Sequence, residues 1–262
     1  MDAYLEANRT LWDSWTALHH TSSFYDVDGF RAGASSLNSL ELEAVGDVTG
    51  QDLLHLQCHF GLDTLSWARQ GARVTGVDFS DQAIALAQGL ARELGIAADF
   101  HRLEVTHLPV AWTDRFDVVF TSYGVLPWLP DLNAWAATIA RVLHPGGAFH
   151  LVEFHPFATM LDDDAQISHP YFRTATPERY STAGSYAEPE APLSGTAFEW
   201  SYSLADVFAA LSRAGLTIRA LREYPYSPYG CFAFLEEVGP RRWKVRGAKV
   251  DVPLAFSLRA TK

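Results

Sequence analysis

Apolar positions recur along this chain with two distinct periods. Up to about residue 20, Tyr4, Leu5, Leu11, Trp12, Trp15 and Leu18 fall at mixed three-, four- and seven-residue spacings, which predicts an amphipathic helix. A loop carrying Phe24, Tyr25 and Phe30 follows, then a short helix from Ser39 to Val45 that ends before Gly46. From Asp52 the pattern changes to short, nearly continuous apolar runs separated by helical stretches. Asp52-Leu53-Leu54-His55-Leu56-Gln57 reads as a buried strand, Leu62 to Gln70 as a helix stopped by Gly71, and Arg73 to Asp78 as a second strand. Ser80 is placed to cap a helix with Ile84, Ala87, Leu90, Ala91 and Leu94 on one face and Gly95 at its end. Further strands are expected around Ala98 to Val105, Phe116 to Thr121 and Ala148 to Glu153. A helix after Pro130 buries Leu132, Trp135, Ile139 and Val142. Strands that alternate with helices of this length build βαβ units, so the fold class is α/β, with a doubly wound, mostly parallel sheet covered by helices on both faces.

Between Phe157 and Trp200 the periodicity vanishes, while aromatic residues stay dense (Tyr171, Phe172, Tyr180, Tyr186). A long irregular stretch of this composition reads as a lid rather than a linker. Ser203-Leu204-Ala205-Asp206 then opens a helix that Gly215 stops. Two closing strands are expected, Leu216 to Glu223 and Pro253 to Ala260. The division that results is an N-terminal helical cap over 1–50, a sheet domain over 51–156 and 201–262, and a lid insertion over 157–200.

The net charge of -11 opposes phosphate neutralisation, so nucleic acid is not an expected partner. The one visible basic cluster, Arg241, Arg242, Lys244, Arg246 and Lys249, reads as a solvated loop. Two cysteines, Cys58 and Cys231, are too few for a disulfide scaffold and favour a reducing compartment. The first six residues lack the marks of a secretory leader, and no apolar run is long enough to span a membrane, so a cytoplasmic protein is expected.

Ligands of an open α/β sheet bind at the carboxyl ends of its strands, where the strand order reverses. The first strand-to-helix turn runs from Gln57 to Gly61, and the second strand ends in Asp78, a carboxylate placed to accept hydrogen bonds from both hydroxyls of a ribose. Phe79 follows with a flat face suited to an adenine ring. Leu103-Glu104-Val105-Thr106, Phe120-Thr121-Ser122-Tyr123-Gly124 and Leu143-His144-Pro145-Gly146-Gly147 complete the series. In this order the segments resemble those of the class I S-adenosylmethionine-dependent methyltransferases over roughly residues 50–155. The resemblance implies a seven-stranded Rossmann-like sheet and S-adenosyl-L-methionine as cofactor. It assigns Gln57, Cys58, His59 and Gly61 to the methionine end, Asp78, Phe79 and Ser80 to the ribose and its surroundings, Glu104 and Val105 to the adenine, and Ser122 and Tyr123 to the sulfonium.

The first loop departs from the family's acid-x-Gly-x-Gly-x-Gly. His55 stands in the place of the acid, and Gln57 and His59 replace the first two glycines. Either the site has lost its cofactor, or the loop takes a different path with Gln57 or His59 touching the ligand. The same substitutions oppose a nicotinamide-dependent oxidoreductase, which needs glycines here to cradle a pyrophosphate. A metal is not expected at His55, Cys58 and His59, which lack further ligands at short spacing. Nor is one expected at Asp162-Asp163-Asp164, and Cys58 reads as packing rather than a nucleophile. His155, after strand five, and Tyr123 are the candidate catalytic groups. His155 also reads as a residue that simply orders the hinge before Pro156. The expected activity is methyl transfer to a small, partly apolar or aromatic molecule by a monomer or homodimer. A catalytically silent cofactor-binding domain is the alternative.

Overall fold

The computed structural model describes residues 3–262, so the first two residues of the expected N-terminal segment lie outside it. Seven strands form the central sheet in the order β3-β2-β1-β4-β5-β11-β8. The five on one side, β1 (Asp52–Leu56), β2 (Arg73–Asp78), β3 (Ala98–Arg102), β4 (Phe116–Ser122) and β5 (Leu143–Phe154), pair in parallel. β11 (Ala255–Thr261) runs antiparallel between β5 and β8 (Thr217–Tyr224). β1 is buried at Leu53, Leu54, His55 and Leu56, as a parallel strand covered on both faces must be. The strand order reverses between β1 and β4, which opens a crevice at their carboxyl ends.

The helices arise where the sequence places their signals. α4 (Leu62–Arg69) starts at Gly61, whose φ of 84° suits glycine, and α5 (Asp81–Leu94) is capped by the Ser80 side chain, which accepts from the Ala83 N–H. α6 (Leu132–Val142) buries Leu132, Trp135, Ile139 and Val142, and α8 (Leu204–Arg213) carries the capping box at Ser203 and Asp206. α1 (Ala3–Thr21) and α3 (Ser39–Val45) also match their expected places.

Three segments differ from the sequence reading. The aromatic loop after α1 contains a short helix, α2 (Val27–Arg31), started by Asp26. The irregular stretch before Trp200 holds a short helix, α7 (Pro156–Thr159), and an antiparallel hairpin of β6 (Glu178–Ala183) and β7 (Ser194–Glu199). The basic cluster is not a solvated loop. It lies on and beside the hairpin of β9 (Leu235–Gly239) and β10 (Arg242–Val245), where Lys244 pairs with Asp251 at 2.6 Å and Arg242 covers the Tyr226 ring.

α1 is bound to both the hairpin and the sheet domain. The Asn8 side chain exchanges two hydrogen bonds with the Phe198 backbone, and the Trp15 indole donates to the Gly184 carbonyl at 2.8 Å. On the other side, Asp13 accepts from Ser80 Oγ at 2.6 Å, and His19 and His59 share a hydrogen bond of 2.9 Å. Cap, sheet and hairpin therefore meet over the crevice. No described helix is long and apolar enough to cross a membrane.

Candidate active site

A cavity of about 380 Å³ occupies the crevice, a size within the roughly 300–1,000 Å³ of small-molecule sites. The expected residues Gln57, Cys58, His59, Gly61, Asp78, Phe79, Glu104, Val105, Ser122 and Tyr123 all line it. Ser80 does not; its hydroxyl caps α5 and donates to Asp13. His155 is not brought to the cavity either. Its Nε2 faces Glu223 Oε1 at 2.9 Å and its Nδ1 accepts from the Phe157 N–H, so both ring nitrogens are occupied at the start of α7. That arrangement suits the alternative role of ordering the hinge, and burial holds its pKa below the usual histidine value.

The first loop resolves the difficulty posed by its missing glycines. Gln57 and His59 adopt φ of 54° and 50°, and Gly61 has φ 84°. The backbone thus keeps the left-handed geometry that glycine would supply, at a cost of about 1–2 kcal/mol for each side chain. The Gln57 and His59 side chains turn to partners within the protein. Gln57 Nε2 donates to the Val125 carbonyl at 3.0 Å, which bridges the first loop to the turn after β4. His59 enters an aromatic nest of Trp12, Tyr25, Phe60 and His19. Burial lowers the pKa of His19 to about 3 and of His59 well below the histidine norm, so the pair is neutral and its shared hydrogen bond carries no like-charge penalty.

Asp78 sits at the end of β2 with its carboxylate fixed by two backbone donors, His59 N–H at 2.8 Å and Ser80 N–H at 2.9 Å. One acceptor site on each oxygen is spent and the others remain. Burial raises its pKa to about 6, against the lowering effect of those N–H groups. Glu104 is turned onto its own loop, where Thr106 and His107 bond its carboxylate. Cys58 is buried and its thiol pKa is pushed well up, consistent with packing: a Cβ on Gly76 would lie 2.9 Å from its sulfur.

Tyr123 follows β4 with φ 31°, its ring beside Phe154 and Tyr229. Its turn is held from beneath by Glu153, whose buried carboxylate accepts from the N–H groups of Gly124, Val125, Leu126 and Phe154. Sequence reasoning did not single out Glu153, although an acid at the end of an otherwise apolar strand is a readable signal. It also missed Asp63, Tyr229 and Arg241 in the lining, which come from separate parts of the chain. The aromatic wall is completed by Trp12, Phe24, Tyr25, Trp128 and Tyr186.

The seven-stranded sheet, in this order, matches the class I methyltransferase fold of the solved structures. Residues 53–147 match the family model described as "Methyltransferase domain". The ubiquinone biosynthesis O-methyltransferase of Xanthomonas oryzae pv. oryzae is 32% identical over 142 residues, which cover 53% of this chain and 58% of the relative. The match therefore spans little more than half of that relative's length. The geranyl diphosphate C-methyltransferase of Streptomyces coelicolor, solved with S-adenosyl-L-homocysteine, superposes with a TM-score of 0.60 at 13% identity, covering 99% of this chain and 97% of that one. An S-adenosylmethionine-dependent methyltransferase from Mesorhizobium loti gives a TM-score of 0.57 at 18% identity, covering 88% and 100%.

The polar groups of the cavity fit S-adenosylmethionine. A buried carboxylate with free acceptor sites suits a ribose diol, and Phe79 and Val105 offer apolar surface for a base. The buried Oε1 of Gln57 has no protein partner and requires a donor.

Proposed function

We propose that this protein transfers the methyl group of S-adenosylmethionine to a small, partly apolar or aromatic acceptor. The observation that carries this reading is the left-handed backbone at Gln57, His59 and Gly61 leading onto Asp78. Strain of this kind at non-glycine residues persists where a ligand-binding geometry is selected for. The relatives' names support the acceptor class, since the Xanthomonas protein is an O-methyltransferase of ubiquinone biosynthesis.

Asp78 would hold the ribose hydroxyls, Phe79, Glu104 and Val105 the adenine, and Gln57, His59 and Gly61 the methionine end. Ser122 and Tyr123 would border the sulfonium, which supplies an already activated methyl group. The chain's task is then to align acceptor and methyl group and to exclude water. The aromatic wall from α1, the β6–β7 hairpin and the segment around Tyr229 suits both tasks. Tyr123 lines the cavity at the end of β4 whereas His155 does not, which favours it over His155 as the polar group next to the reacting atoms. The division into helical cap, sheet domain and lid follows from the same reading, with the hairpin as the lid's ordered part. A cytoplasmic monomer or homodimer that acts without nucleic acid completes the proposal.

Asp78→Ala is expected to weaken S-adenosylhomocysteine binding by about 10- to 100-fold in a calorimetric titration, as two charge-assisted hydrogen bonds are lost. Because the pKa of Asp78 is raised to about 6, its carboxylate converts to the weaker acceptor as pH falls through that value. Wild-type affinity should therefore decline below about pH 6, and Asp78→Asn should flatten that decline. Unchanged affinity in Asp78→Ala would remove the ribose assignment. Labelled methyl transfer to phenolic acceptors, read as S-adenosylhomocysteine formed, separates turnover from silent binding.

A further inference from the structure

Buried carboxylates need a cation or a set of hydrogen-bond donors to offset the loss of water. Asp78, Glu153 and Glu41 have such partners in the backbone N–H groups of His59 and Ser80, of four residues around Gly124, and of Asn38. Asp63, in the first turn of α4, differs. Its donors are two hydroxyls, Ser36 Oγ at 2.6 Å and Ser122 Oγ at 3.2 Å. The one basic group that acts on it among the described residues is Arg241, whose guanidinium is already taken by the Ser36 and Leu37 carbonyls and the Asn38 side chain. Burial raises the Asp63 pKa, as expected of a carboxylate short of a counter-charge. Unlike Glu41 and Glu153, Asp63 lines the cavity.

A second acceptor in the same cavity lacks a donor altogether. Gln57 Nε2 must face the Val125 carbonyl, because an amide oxygen there would meet another acceptor; this fixes Oε1 as the outward atom, buried and without a partner. The two residues flank the Gly61 turn. His55, on β1 and also lining the cavity, stands at the position where the resemblance leads one to expect an acid. It is neutral, with its pKa lowered to about 3 by burial and its Nδ1 bonded to Thr64 Oγ1 at 2.8 Å. His55 therefore offers no negative charge to the methionine end.

We propose that Asp63, assisted by Gln57 Oε1, is the ammonium-binding subsite of this cavity and takes the α-amino group of the cofactor's methionine end. The negative charge lost at position 55 is supplied in the first turn of α4. An ammonium brings one positive charge and three donors, which matches a carboxylate hydrogen-bonded by hydroxyls alone and an amide oxygen without a donor. This inference rests on the cofactor reading above.

The test is a set of calorimetric titrations into wild-type protein and Asp63→Asn. The ligands are S-adenosylhomocysteine, its analogue with hydrogen in place of the α-amino group, and 5′-deoxy-5′-methylthioadenosine, which lacks the whole amino-acid end. Wild-type protein should bind S-adenosylhomocysteine about 10- to 100-fold more tightly than the desamino analogue, the difference expected of charge-assisted hydrogen bonds. Asp63→Asn should lose that preference while binding methylthioadenosine within about 3-fold of wild type, because that ligand has no ammonium to place. Equal wild-type affinities for the first two ligands would overturn the inference even if Asp63→Asn does not fold. So would an Asp63→Asn protein that keeps the preference, or one that loses affinity equally for all three. Absence of binding by any of the three to folded wild-type protein would instead overturn the cofactor reading, and this inference with it.

Discussion

Replacing Gly61 with alanine is expected to destabilise the fold by about 2–5 kcal/mol and to abolish measurable cofactor binding. Two costs add. At φ 84° a Cβ strains the backbone by about 1–2 kcal/mol. The same Cβ would lie 2.7 Å from Phe100 Cζ and 3.0 Å from Ala87 Cβ, and forcing atoms into a packed core costs about 1–3 kcal/mol more. Phe100 is buried against α5 and cannot withdraw without opening that layer. Either the ring moves or the loop does, and movement of the loop displaces the His59 N–H from Asp78. A fall in Tm of roughly 5–15 °C is the expected reading for a chain of this size. A variant that melts like wild type and still binds would mean that the loop has room it is not credited with.

The second large effect is expected from Glu153→Ala. This carboxylate is tied to four backbone N–H groups, three in the turn after β4 and one at the last residue of β5. Truncation leaves those donors buried and unpaired, a loss of about 3–5 kcal/mol by analogy with other broken buried charge networks. Glu153→Gln retains one acceptor oxygen and should cost less, about 1–3 kcal/mol. The turn at stake carries Tyr123 and the Val125 carbonyl that receives Gln57. Methyl transfer should therefore fall more than stability alone explains, measured at a temperature where both variants remain folded. Full activity in folded Glu153→Ala would separate the turn from the reacting atoms.

How much of this could be read in advance depended on whether a feature is local. The sheet domain was legible because buried parallel strands and amphipathic helices carry their periods in short windows, and capping signals such as Ser80 and Ser203 mark the starts. Asp78 was legible for the same reason, as an acid closing an apolar strand. The β6–β7 hairpin was not, because its faces are only partly buried and its pairing is set by contact with α1 through Asn8 and Trp15. The β9–β10 hairpin escaped because alternate charged residues disguised a strand as a solvated run. In the site, the direction of the Gln57 and His59 side chains followed from tertiary partners, Val125 and the nest around Trp12, that no local pattern announces. Asp63 could have been noticed as an acid in the first turn of a helix, but its lack of a counter-charge is visible only once its surroundings are assembled. Of the two roles open to His155, its place beyond β5 suggests the crevice, whereas its ring turns to Glu223 on β8, as the hinge role requires.

The cavity above Asp78 is expected to take S-adenosylhomocysteine. Titrating that compound into the folded protein in a calorimeter should give saturable heat with one ligand per chain, and the heat should shrink sharply in Asp78→Ala. A folded wild-type protein that gives no heat at two different temperatures, and gains no thermal protection from the ligand, would contradict it.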